Sequence, residues 1–240
     1  MIDADQRELQ VARLLEAWPT ELDGVVVGGY AVAAYGTPRY SVDVDVVVSE
    51  RSRVDWADWL KSHHLLLAPG HRVFHQGRAS LEVQRWEYRA ITLDLMIGGV
   101  RDRDSGVTIP GDWLLRSPRS VRLELLSGPL SSQVDVVRLE GLWATKLLAG
   151  RPHDLTDLFG IMSQEVNLGE VRELFGRFLQ SVALRKFKLV LSRVNDRKTY
   201  VDTLSRLLQG SPESRTNLSR WSRFANMVQS CIPVSSIEPA

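Results

Sequence analysis

Asp43 and Asp45, in Ser41-Val42-Asp43-Val44-Asp45-Val46-Val47-Val48, put two acids into an otherwise apolar strand. Alternate strand residues face the same way, so the two carboxylates point together while Val44 and Val46 point into the opposite layer. Two like charges about 4 Å apart, at an effective dielectric of about 20, repel by roughly 4 kcal/mol. A divalent cation between them reverses the sign of that interaction, and hard oxygen donors suit Mg²⁺. The first chemistry to expect is therefore a metal site.

Just upstream, Val25-Val26-Val27-Gly28-Gly29-Tyr30-Ala31-Val32-Ala33-Ala34-Tyr35-Gly36 reads as a short buried strand, a glycine turn and a helix of two turns. Glycines at such a turn let the backbone bend sharply and approach a ligand. The helix start adds free N–H groups and a positive dipole end, which suit phosphate. A Gly-Gly pair by itself fits an ordinary turn equally well. Here Arg39, Ser41 and the two aspartates all follow within sixteen residues of Gly29. The order is a phosphate cradle, then a cation, then metal ligands.

That order resembles the DNA polymerase beta type nucleotidyltransferase superfamily, whose signature is a Gly-Gly or Gly-Ser turn, a short helix and an Asp-x-Asp strand. The resemblance implies a third carboxylate from a later strand. Ala90-Ile91-Thr92-Leu93-Asp94-Leu95-Met96-Ile97 offers Asp94 in an apolar run, a solvent-facing strand aspartate being the bland alternative. It further implies an NTP substrate and two Mg²⁺ ions held by Asp43, Asp45 and Asp94. Gly28, Gly29, Arg39 and Ser41 would then lie on the phosphates.

A second block follows. Leu142, Trp143, Leu147 and Leu148 line one helix face with Lys146 close by, and Gly150-Arg151-Pro152 ends or kinks that helix. His153-Asp154-Leu155-Thr156-Asp157-Leu158-Phe159 then opens the next helix, with Asp154 as its N-cap candidate. A lysine-bearing helix, an arginine and Asp-x-x-Asp-Leu together resemble the AbiEii-type nucleotidyltransferase toxins of toxin-antitoxin pairs and the related MenA-type enzymes. The two resemblances span residues 20–160 in the expected order. They imply that Lys146 is a catalytic residue contacting nucleotide phosphate, supported by Asp154 or Asp157. The alternative for both acids is helix capping and an ion pair with Arg151. The family's Arg or Lys directly before the first aspartate is replaced here by His153.

The elements that must position these residues give an α+β fold. A nucleotidyltransferase domain over residues 1–138 has a mixed sheet flanked by helices, and a helical, basic domain follows over 139–240. Helical spacing covers 4–17 and 51–64. Strands are expected near 71–76, 80–86 and 90–97, continuing the sheet in antiparallel fashion, and a weaker strand pair at 120–126 and 133–138. The Gly-, Asp-, Arg- and Pro-rich stretch 98–118 reads as loop with one helical turn around Trp113. The tryptophans are expected in or near the core.

The 240 residues, 44% apolar, can supply a full core for one large or two small domains. No apolar run approaches a membrane span and the N-terminus lacks a signal-peptide pattern, so a cytoplasmic, membrane-free protein is expected. Cys231 is the single cysteine, which rules out an intrachain disulfide or a thiolate zinc cluster. His71 and His75, four apart in a strand or loop, do not form a helical chelating edge. Walker-type and Gly-x-Ser-x-Gly loops are lacking, so P-loop and serine-hydrolase chemistry find no support. The net charge of +1 conceals a segregation: residues 182–230 hold ten Lys or Arg against three Asp or Glu, net +7, and the remainder is net −6. Such a block could neutralise the phosphates of a polynucleotide, although each residue singly fits a solvated helix face. The resemblance implies transfer of a nucleoside monophosphate to the 3′ end of RNA, tRNA above all, by a toxin with a separate antitoxin partner. A small-molecule nucleotidyltransferase of the aminoglycoside-modifying kind and a catalytically silent nucleotide-binding member stay open as alternatives.

Overall fold

Val25, Val26 and Val27 are buried on both faces, as a central strand requires, whereas Asp43-Val44-Asp45-Val46 alternates half-buried and buried. That contrast puts the first strand in the middle of a sheet and gives the second one working face. The computed structural model describes residues 4–36, 41–70, 72–76, 79–125, 128–177, 181–207 and 215–233. Arg39 and His71 lie outside the described residues.

The chain opens with α1 (Ala4–Glu16), β1 (Gly24–Val27), α2 (Gly28–Ala34), β2 (Asp43–Val48) and, after a short 3-10 turn, α3 (Arg53–Ser62). Strands β3 (Leu66–Leu67), β4 (Arg72–Gln76), β5 (Ala79–Tyr88) and β6 (Ile91–Ile97) follow. Next come β7 (Gly99–Arg101), β8 (Thr108–Pro110), α4 (Gly111–Leu114), β9 (Arg119–Val121), β10 (Glu124–Leu125), β11 (Gly128–Pro129) and β12 (Val134–Val136). The remainder is helical: α5 (Leu139–Ala149), α6 (Pro152–Gly160), α7 (Leu168–Gly176), α8 (Ser181–Val194), α9 (Arg197–Leu207) and α10 (Arg215–Cys231). The chain forms two compact units, Met1–Arg101 with Thr108–Arg138, and Asp102–Val107 with Leu139–Ala240.

In the first unit the main sheet runs β3-β5-β6-β2-β1-β12-β9, with β4 also paired to β5. It is mixed: β2 lies parallel to β6 and antiparallel to β1, while β5 is antiparallel to β6. The fold is thus the expected α+β domain with a mixed sheet, followed by a helical bundle. Helix α2 is short and buried from Gly29 to Ala33, and the Tyr35 hydroxyl beyond its end donates to the Val137 carbonyl at 2.9 Å. Trp18, Trp56 and Trp59 stack edge to face beside the sheet, and the Trp56 indole donates to the Asp23 carbonyl. Trp56, Trp86, Trp113, Trp143 and Trp221 are all buried, as expected of core residues.

Two local expectations need correction. The stretch 98–118 does contain a helical turn at Trp113, but it also holds a β7–β8 hairpin. Asp102 makes it possible: its carboxylate accepts from the Ser105 N–H at 2.8 Å and hydroxyl at 2.6 Å, and its own N–H reaches the Val107 carbonyl. Side-chain turn chemistry of this kind is invisible to composition. Further on, β9 does pair with β12, but β12 also joins β1 in parallel. The residues between form a separate β10–β11 pair instead of prolonging the strands.

In the second unit α5 is buried almost all round, from Leu139 to Leu148, so it is the central helix and not one with a single apolar face. Aromatic rings from Phe159, Trp221 and Phe224 pack together behind it. Cys231 is buried here, and burial pushes its thiol up to about 12, leaving it inert. Among the described residues no helix is long and apolar enough to cross a membrane.

Candidate active site

The parallel register of β2 and β6 sets Asp45 directly beside Asp94, and the antiparallel register of β6 and β5 sets Asp94 beside Arg85. Asp43 lies two residues before Asp45 and faces the same way. Asp94 is only 7% exposed, so it is not the solvent-facing aspartate of the bland alternative. Arg85 grips it with two parallel bonds, Nε to Oδ1 and Nη2 to Oδ2, each 2.8 Å. The same Nη2 stands 3.9 Å from Asp43 Oδ2. The hydrogen bond to Asp94 is the main reason that the Arg85 pKa is raised, so the guanidinium is a permanent charge.

Gly28 fixes the other wall. It follows Val27, the β1 partner of Asp45, and has φ +68°. A Cβ built there would lie 2.2 Å from Asp45 Oδ2, so only glycine lets the helix start this close to the carboxylate. Gly29 is buried in the first turn of α2, which contains no acidic residue. Ser41 sits at the mouth of β2; its hydroxyl donates to the Asp43 carbonyl at 3.2 Å, and its own carbonyl accepts from Tyr30 at 3.3 Å. One open cavity of this unit, lined by Asp23, Glu50, Arg51, Asp112 and Arg116, lies beyond the opposite end of β2 and contains none of these residues.

The donor set suits a hard divalent cation: three carboxylates on adjacent strands, with a guanidinium already drawn to two of them. Among the described residues, however, no three His, Cys, Asp or Glu side chains converge closely enough to cage an ion as they stand. At Asp94 both oxygens are engaged by Arg85. The residues therefore fit a metal by chemistry and register, with Arg85 as the group that must yield.

Lys146, Asp154 and Asp157 come together in the second unit. Lys146 Nζ donates to Asp154 Oδ1 at 3.1 Å and to Asp157 Oδ2 at 2.7 Å, and all three side chains are buried. Sequence left open which aspartate matters; both hold the lysine. Asp154 does more, because it also accepts from Arg151 Nε at 2.7 Å and from the Arg151 backbone N–H at 3.1 Å. It is thus not the N-cap of α6 but its third residue, reaching back to Arg151 at the N-cap with Pro152 between. Burial opposes its charge, yet the bond from Arg151 and the nearness of Lys146 outweigh this and lower its pKa. Burial lowers the pKa of His153, against the pull of Asp154, so the position that carries Arg or Lys in the resembled family holds a neutral ring near pH 7.

Among the ten basic residues of the C-terminal block, Arg185, Lys188, Arg197, Lys198, Arg220 and Arg223 are exposed. Lys186 is buried against Asp104 at 2.7 Å and Asp102 at 3.6 Å, and Arg193 donates to the Gly150 carbonyl, so these two serve the fold. The side chains of Arg206 and Arg215 lie outside the description. Arg85 is the residue that sequence reasoning missed. Its only local signal is a cation between Gln84 and Trp86 on a strand whose other face is buried.

A mixed sheet with paired acids on neighbouring parallel strands, a glycine-started helix beside them and a helical bundle behind them in sequence define the class: a nucleotidyltransferase-like α+β protein. Residues 13–230 match the nucleotidyl transferase AbiEii toxin family of type IV toxin-antitoxin systems, and the chain belongs to that family. It is accordingly an enzyme of the nucleotidyltransferase class, in a family of toxin nucleotidyltransferases. Among solved structures, a proposed nucleotidyltransferase of Thermotoga maritima is 18% identical with a TM-score of 0.45, covering 69% of this chain and 97% of that one. The antibiotic-resistance factor ANT(2″)-Ia, in complex with adenylyl-2″-tobramycin, is 16% identical with a TM-score of 0.34, covering 84% and 98%. Its solution structure gives 14% and 0.35, covering 95% and 97%. These likenesses are weak, and the family match stands without them. No curated protein matches the chain.

Proposed function

We propose that the chain transfers a nucleoside monophosphate from an NTP to the 3′ end of an RNA, tRNA first among acceptors, and that it is the toxin of a pair whose antitoxin is a separate chain. The observation that carries this reading is the register of Asp45 beside Asp94, with Asp43 on the same face and Gly28 closing against Asp45. Asp43 and Asp45 would hold one Mg²⁺, and a second would be shared with Asp94. Bound Mg²⁺ supplies neutralisation of phosphate charge and a lowered pKa for the attacking hydroxyl. The 3′ hydroxyl gives its proton to Asp94, its oxygen forms the bond to the alpha-phosphorus as the bond to the bridging oxygen breaks, and pyrophosphate leaves.

The chain's own residues then have distinct tasks. Gly28 and Gly29 let backbone N–H groups approach the leaving phosphates, joined by Ser41 and Arg39. Lys146 would balance phosphate charge, as a compact ammonium on a flexible stem can. Asp154 and Asp157 would set where it stands. The exposed basic residues of α8, α9 and α10 support an RNA acceptor. In this reading the nucleotidyltransferase domain is residues 1–138 and the acceptor-binding domain is 139–240.

The test is incubation with Mg²⁺, total RNA and each labelled NTP in turn, alongside an aminoglycoside, followed by sizing of the product. Label is expected on RNA of tRNA size, and Asp43→Ala is expected to lower incorporation more than about a hundredfold. Wild-type incorporation by that variant would remove the basis of the reading.

A further inference from the structure

Among the described residues, Arg85 holds Asp94 and stands 3.9 Å from Asp43, yet the proposed reaction leaves it without a task. Its contact with Asp94 is two-pronged, 2.8 Å on each arm, the strongest form of carboxylate recognition by a side chain. The arm that holds Asp94 Oδ2 also points at Asp43 Oδ2, 3.9 Å away. Strand register dictates this placement, since Arg85, Asp94 and Asp45 are cross-strand neighbours in one row. On the other face of β5, Gln84 donates to Glu82 at 2.7 Å and accepts from the buried Trp86 indole at 3.1 Å. A slip of β5 by one residue would bury Arg85 and break that network, so the charge is locked in position.

We propose that Arg85 is a positioning residue of the metal site, fixing the Asp94 carboxylate and competing with the incoming divalent cation for the oxygens of Asp94 and Asp43. The inference rests on the assignment of these acids as metal ligands. It separates two properties of one side chain. Competition needs only the positive charge, whereas positioning needs the planar fork, and lysine keeps the first without the second. Arg85 then sets the cation concentration at which the enzyme switches on, and holds Asp94 in one rotamer until the cation displaces it.

The experiment measures Mn²⁺ binding to the full chain, by loss of the free-ion paramagnetic resonance signal, in wild type, Arg85→Gln, Arg85→Lys and Asp43→Asn. Thermal melts check folding, and nucleotide incorporation is measured at saturating Mn²⁺. Arg85→Gln is expected to bind Mn²⁺ about tenfold tighter than wild type, equivalent to about 1.4 kcal/mol. Arg85→Lys is expected to bind within about twofold of wild type, and both variants to incorporate nucleotide at least about tenfold more slowly. A purely structural role would weaken binding and never tighten it. Unchanged or weaker Mn²⁺ affinity in folded Arg85→Gln overturns the proposal; if Asp43→Asn has meanwhile lost binding, the metal-ligand assignment survives. Wild-type binding by Asp43→Asn sinks that assignment and the proposal with it. If Arg85→Gln does not fold, Arg85→Lys decides: normal affinity with slowed incorporation supports the proposal, and wild-type incorporation overturns it.

Discussion

A methyl group at position 28 is the smallest change that reaches the candidate chemistry. It would have to adopt φ +68° and would meet Asp45 Oδ2 at 2.2 Å, so either the helix start or the carboxylate must move. Gly28→Ala is expected to lose about 1–3 kcal/mol in thermal or denaturant unfolding, the usual cost of a strained backbone residue. Incorporation should fall by at least about tenfold, beyond what the unfolded fraction explains, because Asp45 is displaced. Wild-type turnover would mean that Asp45 is not held by this turn. Asp43, Asp45 and Gly28 were legible because their signals are local: a period of two in a strand and a glycine pair at a turn. Asp94 could be nominated as an acid in an apolar run, but its neighbour Arg85 could not. Their pairing depends on the β5–β6 register, which the eight intervening residues of sequence do not specify.

At the scale of elements, the α5–α6 corner is built around a buried lysine. Sequence periodicity indicated α5 but assigned it one apolar face; its near-complete burial follows from the helices around it, which no local pattern reveals. Replacing Lys146 by Met leaves Asp154 and Asp157 buried without the cation that bridges them. Removing one partner of such a buried cluster typically costs about 3–5 kcal/mol, so Lys146→Met should lower the melting temperature as well as incorporation. An unchanged melt with lost activity would assign the lysine to nucleotide alone. The same corner carries a pH signature. The folded-state pKa of His153 lies below its usual value, so the unfolded chain takes up this proton first as pH falls through about 6.5. His153 thus contributes stability that is present above the unfolded pKa and lost as pH drops towards the folded one. Comparing melts from pH 7.5 to 5.5, wild type should lose more stability than His153→Gln. Its ring is half exposed, which keeps the difference small, and parallel curves would refute the assignment.

For the molecule as a whole, charge segregation is the feature that composition concealed and sequence position exposed. The structure divides the basic block by exposure: Lys186 and Arg193 are engaged within the second unit, while Arg185 and Lys188, three apart on α8, are exposed together. If this face contacts RNA phosphates, log affinity must fall linearly with log salt, by about 0.7 per neutralised phosphate on a single strand. The Arg185→Glu, Lys188→Glu double variant should therefore bind RNA more weakly at low salt and with a slope shallower by about 1.4. Its melting temperature should stay near wild type, because surface substitutions of this kind usually change stability by less than about 0.5 kcal/mol. Filter binding across a salt series decides the matter. A wild-type slope in the double variant would return these two residues to the status of a solvated helix face and move the acceptor's footprint elsewhere on the chain.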